Sequence, residues 1–172
     1  MLKTVGAAAV LFAGGATGAE IGRLYSRRPR EIKALMGALL LLQTQISYVA
    51  APLGEALSVV ALRADPKVEA FFSHAAGYLN ASCGLTAAEA WDKAVAEVFP
   101  DSSLREEDLD VLRDLSAALG NSDREDQALH ISLALERLKA LAVAAEEDAR
   151  RFVRLYRFLG FGAGLCLIVL LF

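Results

Sequence analysis

The side chains suited to metal or nucleophilic chemistry are few: the imidazoles of His74 and His130 and the thiols of Cys83 and Cys166. Neither histidine is read as having a carboxylate or cysteine at ligand spacing on its own helix, so a metal site would need distant partners. Di-iron bundles repeat Glu-x-x-His pairs, and the chain has none. Cys83 paired with a histidine is a conceivable nucleophile without a local signature. Walker-type loops, dinucleotide fingerprints and nucleophile elbows are missing, because the glycines concentrate in the apolar ends. The acidic run Glu106, Glu107, Asp108 and Asp110 opens a helix and is expected to complement its dipole. Trp91 reads as a core anchor. The expectation is therefore no catalytic residue, no metal and no cofactor. What remains is a polar corner, Gly120 to Asp126, which is either capping plus solvation or a partner-docking site carried by Asp123, Arg124 and Glu125.

The corner opens the stretch on which the rest depends. Ser122 and Glu125 have capping-box spacing. From there no proline intervenes, and Ile131, Leu135, Leu138, Ala142, Ala145, Ala149, Phe152, Tyr156 and Leu159 recur in steps of three and four. That is a seam made to pack on other helices. After Arg157 the charges stop, and Phe158–Phe172 is wholly uncharged. Thr4–Ala19 is uncharged as well and continues past Glu20 through Ile21 and Gly22. At ~1.5 Å per residue this run covers roughly 24 Å, a little under a ~30 Å hydrocarbon core.

Both ends are thus expected to span a membrane, with Arg27, Arg28, Arg30, Arg154 and Arg157 as basic interface residues and Tyr25 and Tyr156 beside them. Basic residues follow the first run and precede the last, which by the positive-inside rule keeps the intervening segment in the cytoplasm. Thr17-Gly18-Ala19 also resembles a signal-peptide cleavage site, and an exported helical protein is the alternative. Gly14, Gly18 and Gly22 share one helical face, and Gly160 and Gly164 another. Such faces serve either close packing of the two spans or self-assembly, unless they merely reflect the abundance of glycine in membrane helices. The hydrophobic fraction of 55% and net charge of −3 over 172 residues fit a membrane-tethered chain with no general attraction to nucleic acid.

Between the ends the pattern is helical throughout. Arg28-Pro29 begins a helix carrying Ile32, Leu35, Leu39, Leu42, Ile46 and Val49. A short helix with Leu53, Ala56, Leu57, Val60 and Ala61 follows Pro52. Asp65-Pro66 caps and opens a helix through Phe71, Phe72 and Leu79. Thr86 and Glu89 form a second capping box before Trp91, Val95 and Val98. After Pro100–Ser103, a helix with Leu109, Leu112, Leu115 and Leu119 stops at Gly120. No segment alternates as a strand does. The fold class expected is all-α: residues 1–24 as the N-terminal transmembrane anchor, 25–157 as a compact cytoplasmic helical bundle, and 158–172 as the C-terminal transmembrane segment.

Tyr25-Ser26-Arg27-Arg28-Pro29-Arg30, Gln43-Thr44-Gln45-Ile46-Ser47-Tyr48, Pro52-Leu53-Gly54-Glu55-Ala56-Leu57 and Glu89-Ala90-Trp91 stand in a distinctive order. Leu119-Gly120-Asn121-Ser122-Asp123-Arg124-Glu125-Asp126-Gln127 and Tyr156-Arg157-Phe158-Leu159-Gly160 complete it. The series resembles the stage III sporulation protein AB family of endospore-forming bacteria over nearly the whole chain. It departs at Thr44-Gln45, where the family is more acidic. The resemblance implies a non-enzymatic inner-membrane platform, similar to the cytoplasmic domains of type II secretion and type IV pilus platform proteins. It further implies a place in the outer forespore membrane on the mother-cell side. Its implied partners are a cytoplasmic secretion-type ATPase (stage III sporulation protein AA), other stage III sporulation membrane proteins and further copies of the chain.

Overall fold

Among the described residues the spacing of apolar positions generates six helices. The computed structural model describes the backbone over 26–81, 84–120 and 123–171, with side chains up to 152. The helices are α1 (Arg27–Thr44), α2 (Leu53–Arg63), α3 (Pro66–Asn80), α4 (Ala87–Val98), α5 (Glu106–Ser116) and α6 (Arg124–Leu171). A π turn, Gln45–Val49, ends α1, and a 3-10 turn, Phe99–Asp101, follows α4. Among the described residues there is no strand. Residues 28–143 form one compact unit, and the later part of α6 belongs to a second.

The seam of α1 is buried where the spacing places it: Ile32, Leu35, Leu39 and Leu42 are fully enclosed and Ile46 nearly so. By length and composition the 23-residue segment Arg27–Val49 could cross a membrane. Its stripe of Ile32, Leu35, Leu39, Leu42 and Ile46 is buried in the bundle, while 33% of the apolar window as a whole is buried. The expected first span, within 1–24, lies outside the described residues. Val49 departs from the seam and is 60% exposed. A π turn takes more residues per turn than an α-helix. The phase therefore slips at Gln45, and a position that α-helical counting assigns to the core swings outward. The turn closes on Ala50 in the left-handed region, with φ 57°.

Aromatic packing knits α3, α4 and the 3-10 turn together. The rings of Phe71 and Trp91 meet edge-on at 4.7 Å, and Phe99 lies 5.0 Å from Phe71. The Trp91 indole N–H donates to the Leu112 carbonyl at 2.8 Å, which satisfies its polar atom and ties α4 to α5. The α6 seam is buried through Ile131, Leu138 and Ala142, and Ala145 and Ala149 are buried further along. The regular turns of α5 end at Ser116, earlier than Leu119, yet the following turn still buries Leu119. Gly120 then takes φ +83°, and a methyl there would stand 2.6 Å from the Ala87 Cβ. Two constraints, backbone and space, select glycine at this position.

Both predicted caps of α3 and α4 are formed. Asp65 accepts from the Lys67 backbone N–H at 3.0 Å and from its ammonium at 2.8 Å. Glu89 accepts from the Thr86 backbone N–H at 2.8 Å and from its hydroxyl at 2.9 Å. The Lys67 contacts hold the Asp65 carboxyl below its ordinary range, and the Thr86 backbone N–H, then its hydroxyl, do the same for Glu89. A carboxyl with a depressed folded value contributes stability above its unfolded value, about 4 for these residues, and that contribution fades as pH falls through the folded value. Thermal melts of the full chain in detergent should therefore show stability declining below about pH 4, and Glu89→Gln should shrink that decline. An acid limb identical in wild type and Glu89→Gln would show that the cap does not titrate in this way.

Candidate docking site

Two polar contacts near opposite ends of α1 decide what the bundle surface can present. At the start, Arg28 is only 7% exposed and Asp108 is fully buried. The Arg28 Nε–H donates to Asp108 Oδ2 at 2.8 Å and its Nη2–H to Oδ1 at 2.9 Å, a bidentate fork. Nη2 also donates to Glu107. The hydrogen bond to Asp108 raises the Arg28 pKa despite burial, so the guanidinium stays charged. Asp108 Oδ2 accepts the Arg105 backbone N–H at 2.8 Å as well, capping α5 while it pairs with α1. Glu31 adds a bond across the same junction by accepting from the Ser103 N–H at 2.8 Å.

This arrangement assigns specific roles within two groups read from the sequence. Arg28 is committed to Asp108 and Glu107 and is not available to a lipid headgroup, whereas Arg27 and Arg30 are exposed. The acidic run does open α5, but its members differ. Asp108 is the buried partner, while Glu106 and Asp110 each hold Arg113 at 2.9 Å. The backbone of Arg154, Arg157, Gly160 and Gly164 lies within α6. Their side-chain surroundings, like Gly14, Gly18 and Gly22 altogether, lie outside the described residues.

At the other end, the Gln43 amide donates to the Ala128 carbonyl at 3.0 Å and to the Ser132 hydroxyl at 2.6 Å. The last turns of α1 are thereby fastened to the first turns of α6. Here Asp123, rather than Ser122, occupies the helix N-cap. Its carboxylate accepts from the Asp126 N–H at 2.8 Å, and its carbonyl takes the first helical bond, from Gln127, at 2.9 Å. Ser122 lies outside the described residues. The proposed docking corner thus divides by function: Asp123 is a cap, and Arg124 and Glu125 are exposed beside it. Across the bundle, Arg137 reaches Asp114 of α5 at 2.5 Å.

Of the two histidines, His130 lies beside this corner and His74 lies on α3. His130 does have a carboxylate one turn away, Asp126 at 3.8 Å, which the sequence reading overlooked. His74 Nδ1 lies 3.2 Å from Glu97, which also accepts from the Tyr78 hydroxyl. Among the described residues no three His, Cys, Asp or Glu side chains are grouped to hold a metal ion. Cys83 lies outside them.

The described residues form a helical bundle with a buried charge pair and an exposed polar corner. Residues 3–172 match the family model described as stage III sporulation protein AB. Stage III sporulation protein AB of Bacillus subtilis (strain 168) is 35% identical over 171 residues, spanning 99% of each chain. A solved structure of a stage III sporulation protein AB superposes with a TM-score of 0.67 at 32% identity, covering 72% of this chain and 97% of that one. The chain belongs to the stage III sporulation protein AB family.

Neither Gln43's contact nor the Arg28–Asp108 pair has a local sequence signature, since the partners are 80 to 89 residues apart. Removing one member of a buried ion pair leaves the other charge uncompensated, which costs about 3–5 kcal/mol. Asp108→Ala should therefore destabilise the bundle by about that amount in chemical denaturation, and Arg28→Met with Asp108→Leu should recover most of the loss. A change below about 1 kcal/mol for Asp108→Ala would mean that the pair is solvated like a surface bridge.

Proposed function

We propose that this chain is a non-enzymatic membrane platform of the stage III sporulation channel between mother cell and forespore. In this reading it docks a cytoplasmic secretion-type ATPase, stage III sporulation protein AA, to the membrane assembly. The observation that carries the reading is α6. One 48-residue helix supplies the buried seam at Ile131, Leu138 and Ala142 and ends in the uncharged stretch 158–171. A soluble bundle and an apolar tail on a single helix suit a protein that fastens something cytoplasmic to a bilayer. Family membership supplies the sporulation context.

The same reading puts Thr4–Gly22 and Phe158–Phe172 across the outer forespore membrane, with the bundle on the mother-cell cytoplasmic side. It assigns Arg27, Arg30, Arg154 and Arg157 to the headgroup region, and Gly14, Gly18, Gly22, Gly160 and Gly164 to helix packing in lipid, within one copy or between copies. Asp123, Arg124 and Glu125 mark the end of the bundle where the ATPase docks. Other stage III membrane proteins complete the assembly, and nucleic acid is not a partner.

Two experiments test the platform. The full chain in detergent should retain stage III sporulation protein AA on an affinity column, and deleting its gene should block spore formation. Failure of both would remove the reading. Proline at Ala142 would break α6 within its buried seam at a cost of about 3 kcal/mol or more. Ala142→Pro should still insert in the membrane yet fail to assemble, and normal assembly would show that an unbroken α6 is not required.

A further inference from the structure

Three long-range contacts fix which way the helices of the unit 28–143 run. Arg28 meets Asp108, Asp114 meets Arg137, and Gln43 meets Ala128 and Ser132. At ~1.5 Å per residue, Gln43 stands roughly 22 Å along α1 from Arg28. Asp114 stands roughly 9 Å along α5 from Asp108, and Arg137 roughly 13 Å along α6 from Ala128. With near-parallel axes, as in helical bundles, the two shorter steps together span the longer one in a single arrangement: α5 runs with α1, and α6 runs against it. Were α6 to run with α1, Asp114 and Arg137 would be parted by roughly 25 Å along the bundle, too far for an ion pair. Reversing α5 instead would part them by roughly 18 Å.

Chain entry and exit then fall at one end. The unit begins at Arg28 and ends at Val143. Val143 lies roughly 22 Å along α6 from Ala128, which returns it to the level of Arg28. The connection into α5 is tied to the same end, because the Ser103 N–H bonds Glu31 and Asp108 bonds Arg28. The opposite end carries the π turn Gln45–Val49 and the corner at Asp123. Charge does not mark the first end. Exposed Arg30 and Arg105 stand there with exposed Asp101, while Glu106 and Glu107 are held by Arg113 and Arg28. What marks it is connectivity: the uncharged stretches 4–19 and 158–172 both join the unit there.

We propose that the end of the bundle formed by the start of α1, residues 103–105 and the start of α5 lies against the phospholipid surface. The π turn and the corner 123–125 point away from it. This rests on the platform reading and says which way up the platform stands. The chain from Gly22 to Arg28 spans at most roughly 20 Å when fully extended, which keeps this end close to the lipid. The other end lies a further ~22 Å along α1 and has no tether of its own. Two tethers at one end and none at the other make the ends unequal. The corner is thereby left where a soluble partner reaches it without meeting the membrane.

The test uses the full chain with Cys83→Ser and Cys166→Ser in phosphatidylcholine nanodiscs. A single fluorophore is attached through Arg105→Cys or, in a second protein, through Ser47→Cys; both positions are exposed. The quencher is a nitroxide on the lipid headgroup, which acts only at short range. Melting curves matching the cysteine-free parent show that the fold is kept. The Arg105→Cys label should be quenched several times more strongly than the Ser47→Cys label. Equal quenching lays the bundle on its side, and stronger quenching of the Ser47→Cys label inverts it; either result overturns the proposal. A chain that stays in solution instead of entering nanodiscs removes the proposal and the platform reading together. If the ATPase is retained on the column while both labels are quenched alike, the platform stands and this orientation fails. If the Arg105→Cys label alone is quenched, yet the ATPase is not retained and spores form without the gene, the orientation stands and the platform reading fails.

Discussion

The Arg28–Asp108 pair is the contact on which the bundle's assembly depends. A guanidinium and a carboxylate removed from water are tolerated only when both are hydrogen-bonded, and here the fork geometry and the Arg105 cap leave neither carboxylate oxygen unused. Such a pair does little to stabilise a core compared with hydrophobic residues of the same volume. What it does is discriminate. An alternative packing of α1 against α5 that separated the two charges would leave each buried alone. The first turn of α1 is therefore held against the first turn of α5, and Glu31 reinforces the junction through Ser103.

With one end of α1 fixed in this way, Gln43 fastens the other to α6. The consequence is a division of labour on α6. Its inward seam is consumed by the bundle, and its outward side near the N-cap is left with exposed leucines and side chains of both charge signs.

Most of the fold was legible because helices declare themselves locally. The three-four spacing of Ile32 to Leu42, the Asp65 and Thr86 caps and the anchoring of Trp91 each follow from residues within a few turns of one another. The π turn was not legible: nothing in Gln45–Val49 announces a wider turn, so Val49 was assigned to the core and lies outside it. Asp108 was hidden for a different reason. It sits among Glu106, Glu107 and Asp110, and only the three-dimensional approach of Arg28 distinguishes the carboxylate that is buried from those that face water. In the polar corner from Gly120 to Asp126 the residue types were visible, but the capping role falls one position later, on Asp123, because the helix begins at Arg124.

The central claim is that the bundle faces the cytoplasm, where a motor protein can reach it, while the chain is held to a membrane. Cys83, in the connection between α3 and α4, offers the direct test. A membrane-impermeant thiol reagent would be applied to intact cells, to opened cells, and to denatured membranes as a control for reactivity. Protection in intact cells with labelling after opening is the predicted result. Labelling of Cys83 in intact cells would place the bundle outside the cytoplasm and contradict the account.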